Sequence, residues 1–175
     1  HIAIQTQTNI TTHTITHITT RTTSHITATC RTPIILPNRT TTGTNGKTTT
    51  AHLLGAIFRQ QGLNTEVFGT LSGARTTPES CDLQRSLWQA SNAGVQAVVM
   101  EVTSHALDQG RVQNINYDIA IFTNLTMDHL DYHLTMEAYA DAKRKLFLSL
   151  DPTKKKKGDV PSKTAVVNID NSWHS

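Results

Sequence analysis

The sequence predicts an α/β domain, an open and mostly parallel sheet flanked by helices. Three observations predict it. Residues 95–102 form a nearly continuous apolar run, as expected of a strand buried on both faces of a parallel sheet. Short apolar runs alternate with segments of helical period. A glycine-rich loop from Gly43 to Lys47 stands between one such run and a strong helical pattern.

Residues 1–32 are low in complexity, with Thr, Ile, His and Arg recurring and few large side chains to fill a core. They are expected to be a poorly packed segment without a partner face. From residue 33 onward the chain reads as one incomplete domain. Residues 33–36 are a short apolar run that could end a strand, although Pro37 and Arg39 interrupt it before the loop. Residues 48–61 carry Ala51, Leu53, Leu54, Ala56, Ile57 and Phe58 at helical spacing, and Gly62 marks the stop. A strand follows at 66–70. Residues 80–93 read as a helix with Leu83, Leu87 and Trp88 on one stripe. Strands are expected at 95–102, 118–123 and 164–169. A helix is expected at 136–150, with Ala138, Ala142, Leu146 and Phe147 as its apolar positions. Leu107, Leu125 and Leu130 read as core. Lys154 to Lys157 read as a solvated loop.

The chain has 175 residues, enough for one compact domain. It is 37% hydrophobic and 17% charged, against averages of roughly 45% and 25% for soluble domains. No apolar run approaches the ~20 residues that span a bilayer, and no signal peptide is visible. The absence of an initiating Met is consistent with a fragment or a processed piece. Cys30 and Cys81 are too few for a disulfide scaffold and fit a reducing compartment. The net charge of +3 divides into +5 over residues 1–65 and −2 over the rest. The basic residues are scattered, with little aromatic interleaving, which argues against nucleic-acid binding. A basic first half suits a polyphosphate anion.

Gly43-Thr44-Asn45-Gly46-Lys47-Thr48 has the chemistry of a phosphate loop. Glycines let backbone N–H groups point at phosphate oxygens, and the helix N-terminus adds partial positive charge. Lys47 could reach the β- and γ-phosphates, and Thr48 could hold Mg2+. Thr41 stands where a strict Walker A motif has Gly, so a helix-capping turn with an incidental Lys is the plainer alternative. Glu101 falls where an apolar strand ends, facing the ligand crevice of an open α/β sheet, and His129 follows the next strand.

Residues 42–50 resemble the nucleotide loop of the Mur ligases, the ATP-dependent amide ligases of peptidoglycan precursor synthesis. Four further stretches carry the resemblance. They are Thr76-Thr77-Pro78-Glu79-Ser80, Met100-Glu101-Val102-Thr103-Ser104-His105-Ala106-Leu107, Asn124-Leu125-Thr126-Met127-Asp128-His129-Leu130-Asp131-Tyr132-His133 and Tyr139-Ala140-Asp141-Ala142-Lys143. Their order and spacing resemble the branch that adds the third amino acid, over residues 40–170.

The resemblance implies ATP and Mg2+ as cofactors. Its implied partners are a UDP-muramoyl-dipeptide and an amino acid (diaminopimelate or lysine), with no nucleic acid and no membrane insertion. It further implies a cytoplasmic, monomeric enzyme that activates the D-Glu carboxylate as an acyl phosphate. Gly43, Thr44, Asn45, Gly46, Lys47, Thr48 and Thr49 are the implied nucleotide residues. Lys47, Glu101, His129 and Lys143 are the implied catalytic residues. Thr48, Glu101, His129 and, once carbamylated, Lys143 are the implied metal ligands. Thr76, Thr77, Thr103, Gln109 and Arg111 are the implied substrate residues, and Asp128 and Asp131 are acidic neighbours. Residues 69–75 look short for the family. The rest of the central domain and its two partner domains are expected to be missing, so the chain alone is expected to be inactive. A nucleotide-binding pseudo-enzyme and a folylpolyglutamate-synthase-like ligase are the alternatives.

Overall fold

The computed structural model describes residues 38–73, 75–151, 153, 163–171 and 173, and the backbone of residues 2–6. In chain order the elements are β1 (Ile2–Thr6), β2 (Asn38–Thr42), α1 (Lys47–Gln60), β3 (Thr65–Phe68), α2 (Ser80–Asn92), β4 (Ala97–Glu101), α3 (Ser104–Asp108), β5 (Ile119–Phe122), α4 (Leu130–His133), α5 (Met136–Leu148) and β6 (Thr164–Asn168). The sheet order is β1-β6-β5-β2-β4-β3. All neighbours are parallel except β1, which runs antiparallel to β6.

β4 occupies the apolar run, and all five of its residues are buried. Its alternation feeds two cores. Val98 and Met100 join Leu83, Leu87, Tyr117 and Leu146 on one face, while Val99 joins Ala51 and Val67 under α1 on the other. A third cluster gathers Phe122, Leu125 and Tyr139 where β5 meets α5.

Several expectations are corrected. The strand entering the loop is Asn38–Thr42, while residues 33–36 lie outside the described residues. Arg39 does not break this strand. Its guanidinium carbon sits 4.0 Å from the centroid of the Phe58 ring, so a cation is accommodated against an aromatic face. The threonines fill the buried centre because they have the branched shape of valine. Two of the hydroxyls find carbonyls, Thr42 donating to Val102 at 2.9 Å and Thr41 to Lys47 at 3.3 Å, while that of Thr40 is buried with no partner among the described residues.

Trp88 is 48% exposed, since α2 buries only the stripe Leu83, Leu87 and Ala90. On α1, Leu53 and Ile57 face outward, because the helix meets the sheet through Ala51, Leu54 and Phe58. Ala138 is exposed, and Leu130 is half-buried rather than core. Residues 2–6 find a partner in β6, whereas the sequence suggested none; residues 7–32 and Lys154 to Lys157 lie outside the described residues. The five-residue α3 and the four-residue α4 were not anticipated.

β2 is the switch point. The chain leaves it for β3 and β4 on one side, then crosses to β5 and β6 on the other. In open α/β sheets the ligand crevice lies at the carboxyl ends of strands at such a point. Lys47 at the start of α1 after β2, Glu101 at the end of β4 and His129 after β5 lie at those strand ends.

Candidate nucleotide site

The loop after β2 is shaped by Gly43 at φ 153° and Gly46 at φ 83°. A Cβ on Gly43 would lie 1.9 Å from the Thr123 hydroxyl, so only glycine lets the loop cross the end of β5 this closely. Reciprocal bonds fix the loop to that strand end. Asn45 N–H donates to Asn124 Oδ1 at 2.9 Å, Thr44 N–H donates to the Asn124 carbonyl at 2.9 Å, and Thr123 Oγ1 donates to the Asn45 carbonyl at 2.7 Å. α1 then starts with no side-chain cap and no acidic residue in its first turn, which leaves its amino end as a partial positive charge.

Two lysines meet at one carbonyl. Lys47 Nζ donates to the carbonyls of Gly43 and Thr44, both at 2.9 Å, and Lys143 Nζ donates to Gly43 at 3.0 Å. Burial lowers the Lys47 pKa, partly offset by Glu101 and Asp128. Lys143 is 3% exposed and pushed down to about 7, first by burial and then by repulsion from Lys47, with Asp128 opposing.

Glu101 is buried at the end of β4. Its Oε2 accepts from Thr48 Oγ1 at 2.7 Å, and its Oε1 accepts from Thr70 N–H at 2.9 Å. Gly69 makes room for it, since a Cβ there would lie 2.0 Å from Oε1. A hydroxyl beside a carboxylate is an oxygen donor set that fits Mg2+. Lys143 does not fit a cation while it is an amine, and fits only after gaining an anionic group.

His129 takes a left-handed conformation at φ 54° as α4 begins. Its ring meets His105 at 4.9 Å and Tyr139 at 5.8 Å between centroids. His133 donates to or accepts from Ser104 Oγ at 2.9 Å. Burial, and then repulsion from His129 for His105 and from His105 for His133, holds these two imidazoles below the ordinary range.

The expected substrate residues form a second group behind Glu101. Thr77 Oγ1 donates to the Glu101 carbonyl at 3.0 Å and accepts from Thr103 N–H at 3.1 Å. Thr103 Oγ1 caps α3 by accepting from Ala106 N–H. Thr76 Oγ1 lies 3.0 Å from Thr70 Oγ1. Arg111 donates to the Thr77 carbonyl at 3.2 Å and pairs with Glu79 at 3.3 Å. Gln109 stands apart, with its Nε2 3.4 Å from Tyr132 Oη. A pocket of about 410 Å3 opens beside these threonines, between Phe68, Ser72, Arg75 and Gln89, and not over the phosphate loop.

Lys47, Thr48, Glu101 and Lys143 therefore gather around one loop. His129 joins them through Tyr139, and Thr49 lies exposed on the first turn of α1. Sequence reading missed Asn124, Thr123, Gly69 and Tyr139. Asn124 and Tyr139 stand inside the motifs quoted above, and Tyr139 precedes Lys143 by four residues, one turn along the same helix face.

Among the described residues, no three His, Cys, Asp or Glu side chains form a metal-ligating cluster, and no helix is long and apolar enough to cross a membrane.

Comparison with known proteins adds relatives. Residues 41–175 match the Mur ligase middle domain. The UDP-N-acetylmuramoyl-L-alanyl-D-glutamate–2,6-diaminopimelate ligase of Geobacter metallireducens is 46% identical over 144 residues, covering 75% of this chain and 27% of that protein. Its counterpart in Synechococcus elongatus is 54% identical over 115 residues, covering 61% and 23%. A solved structure of a ligase of this name superposes with TM-score 0.65 at 36% identity, over 78% of this chain and 27% of that one. E. coli FolC in complex with ADP shares the fold, with TM-score 0.51 at 21% identity, over 65% and 36%. The chain spans about a quarter of the length of the ligases it matches.

Proposed function

The chain belongs to the Mur ligase family, and from that premise we propose that it is the nucleotide-binding part of a cytoplasmic, ATP-dependent amide ligase of peptidoglycan precursor synthesis. The reaction would join a third amino acid, diaminopimelate or lysine, to UDP-N-acetylmuramoyl-L-alanyl-D-glutamate. ATP would phosphorylate the D-Glu carboxylate, and the incoming amine would displace phosphate to form the amide.

The observation that carries this reading is the Thr48–Glu101 pair at 2.7 Å, set at the amino end of α1 beside a loop gripped by Lys47. The loop amides and Lys47 would bind the phosphate tail. Thr48 and Glu101 would hold Mg2+, which supplies the positive charge that offsets repulsion between carboxylate and γ-phosphate. Lys143 is the implied carbamate. Its amine, at a pKa of about 7, is neutral in part at physiological pH. A neutral amine adds to CO2, forming an N–C bond and releasing one proton, and the anionic product would complement a cation. Arg111 and the threonine loop lie on the Glu101 side, where an anionic substrate would approach.

The test is calorimetric titration of the chain with ATP, with and without Mg2+. The expected result is Mg2+-dependent binding, weakened at least about tenfold by Lys47→Ala and made Mg2+-insensitive by Glu101→Gln. A wild-type chain that ignores the nucleotide would overturn the reading.

A further inference from the structure

We propose that Tyr139 is a positioning residue of the nucleotide loop, its phenol holding Thr44 while its ring seats Lys143 and His129. The proposal rests on the nucleotide reading above and extends it to a residue with no role in that reading.

Tyr139 lies on α5 and is fully buried. Thr44 Oγ1 accepts from Thr126 N–H at 3.0 Å and lies 3.2 Å from the Thr126 carbonyl, to which it can donate. It is also 3.2 Å from Tyr139 Oη, a hydrogen bond between two hydroxyls in which either can be the donor. The face of the ring carries Lys143 Nζ at 4.5 Å from its centroid, and the His129 ring meets it edge-on at 5.8 Å. One side chain thus touches the loop and two of the expected catalytic residues.

Its packing needs no hydroxyl. The ring sits with Phe122 and Leu125, and phenylalanine would fill the same space. What the oxygen adds is a grip on Thr44, whose neighbours Gly43 and Asn45 shape the loop. Releasing that grip leaves the core intact and lets the loop wander, so it should act on nucleotide affinity rather than on folding.

The experiment titrates the purified chain with Mg-ADP by calorimetry, alongside melting temperatures. Tyr139→Phe should raise the Kd about three- to tenfold, the worth of one neutral hydrogen bond, with an unchanged melting temperature. Thr44→Val should also raise the Kd, and adding Tyr139→Phe to it should change nothing further, because the two act through one bond. Wild-type affinity in Tyr139→Phe, or effects that multiply fully in the double variant, would overturn the proposal while leaving the nucleotide reading standing. A lowered melting temperature with the lost affinity marks a packing role and also overturns it. A wild-type chain that binds no Mg-ADP overturns both.

Discussion

Lys143→Met separates what the site costs the fold from what it does. Wild type holds an amine that is 3% exposed and pushed from 10.5 to about 7. A tenfold change in proton affinity is worth about 1.36 kcal/mol, so keeping this amine charged in the folded state costs up to roughly 5 kcal/mol. Below pH 7 the amine is charged whether folded or unfolded, and the whole cost is present. Between pH 7 and 10.5 the unfolded chain binds more protons than the folded one, so stability rises with pH. Above 10.5 the cost is gone. Methionine has similar length and no charge, and it gives up the bond to Gly43, a carbonyl that Lys47 also holds, and the ammonium's place over the Tyr139 ring. The variant should therefore be more stable than wild type by about 2–5 kcal/mol at pH 6, with the gap closing towards pH 10. Urea unfolding of both chains at pH 6, 8 and 9.5, in CO2-free buffer, measures this. Parallel stability curves, or a variant less stable at pH 6, would show that the ammonium is not a buried burden and would refute the argument.

Two further outcomes follow from backbone geometry. Gly69→Ala places a methyl 2.0 Å from Glu101 Oε1, so Glu101 must move. Urea unfolding should show a loss of about 1–3 kcal/mol, and titration should show Mg2+-dependent nucleotide affinity falling with it. Leu134 sits at φ 67° in a tight turn closed by Thr135 N–H on the His133 carbonyl, and it is 79% exposed. Leu134→Gly relieves that strain without uncovering a core and should stabilise the chain by about 1 kcal/mol, raising the melting temperature by about 2–4 °C.

The parts of the fold legible in the sequence are those where one physical signal dominates. β4 announced itself because five consecutive buried residues leave no polar positions except Glu101, and that exception marked the crevice. β2 was hidden by chemistry that counts threonine as polar. In place, its methyl and hydroxyl act as a valine with a local donor, which a hydropathy pattern cannot express. α3 and α4 are too short for any period to show. Trp88 and Ile57 obeyed the helical spacing yet face outward, because spacing fixes a stripe and not its width. At the site, the loop and Glu101 were readable from residue type and strand end. Tyr139 was not, since an aromatic at a core position looks the same whether or not its oxygen reaches a loop.

The switch at β2 has a mechanical consequence. Thr48 and Glu101 hang from the β2–β4 half of the sheet, while Asn124 and His129 hang from β5, and within the sheet the two halves join along the β2–β5 edge. A phosphate tail seated across that edge would act as a staple over a seam. Ligand occupancy would then be read out as rigidity: amide hydrogens of Thr40 and Thr41, buried at the seam, should exchange more slowly with nucleotide present, while those of the outer strand β3 keep their pace.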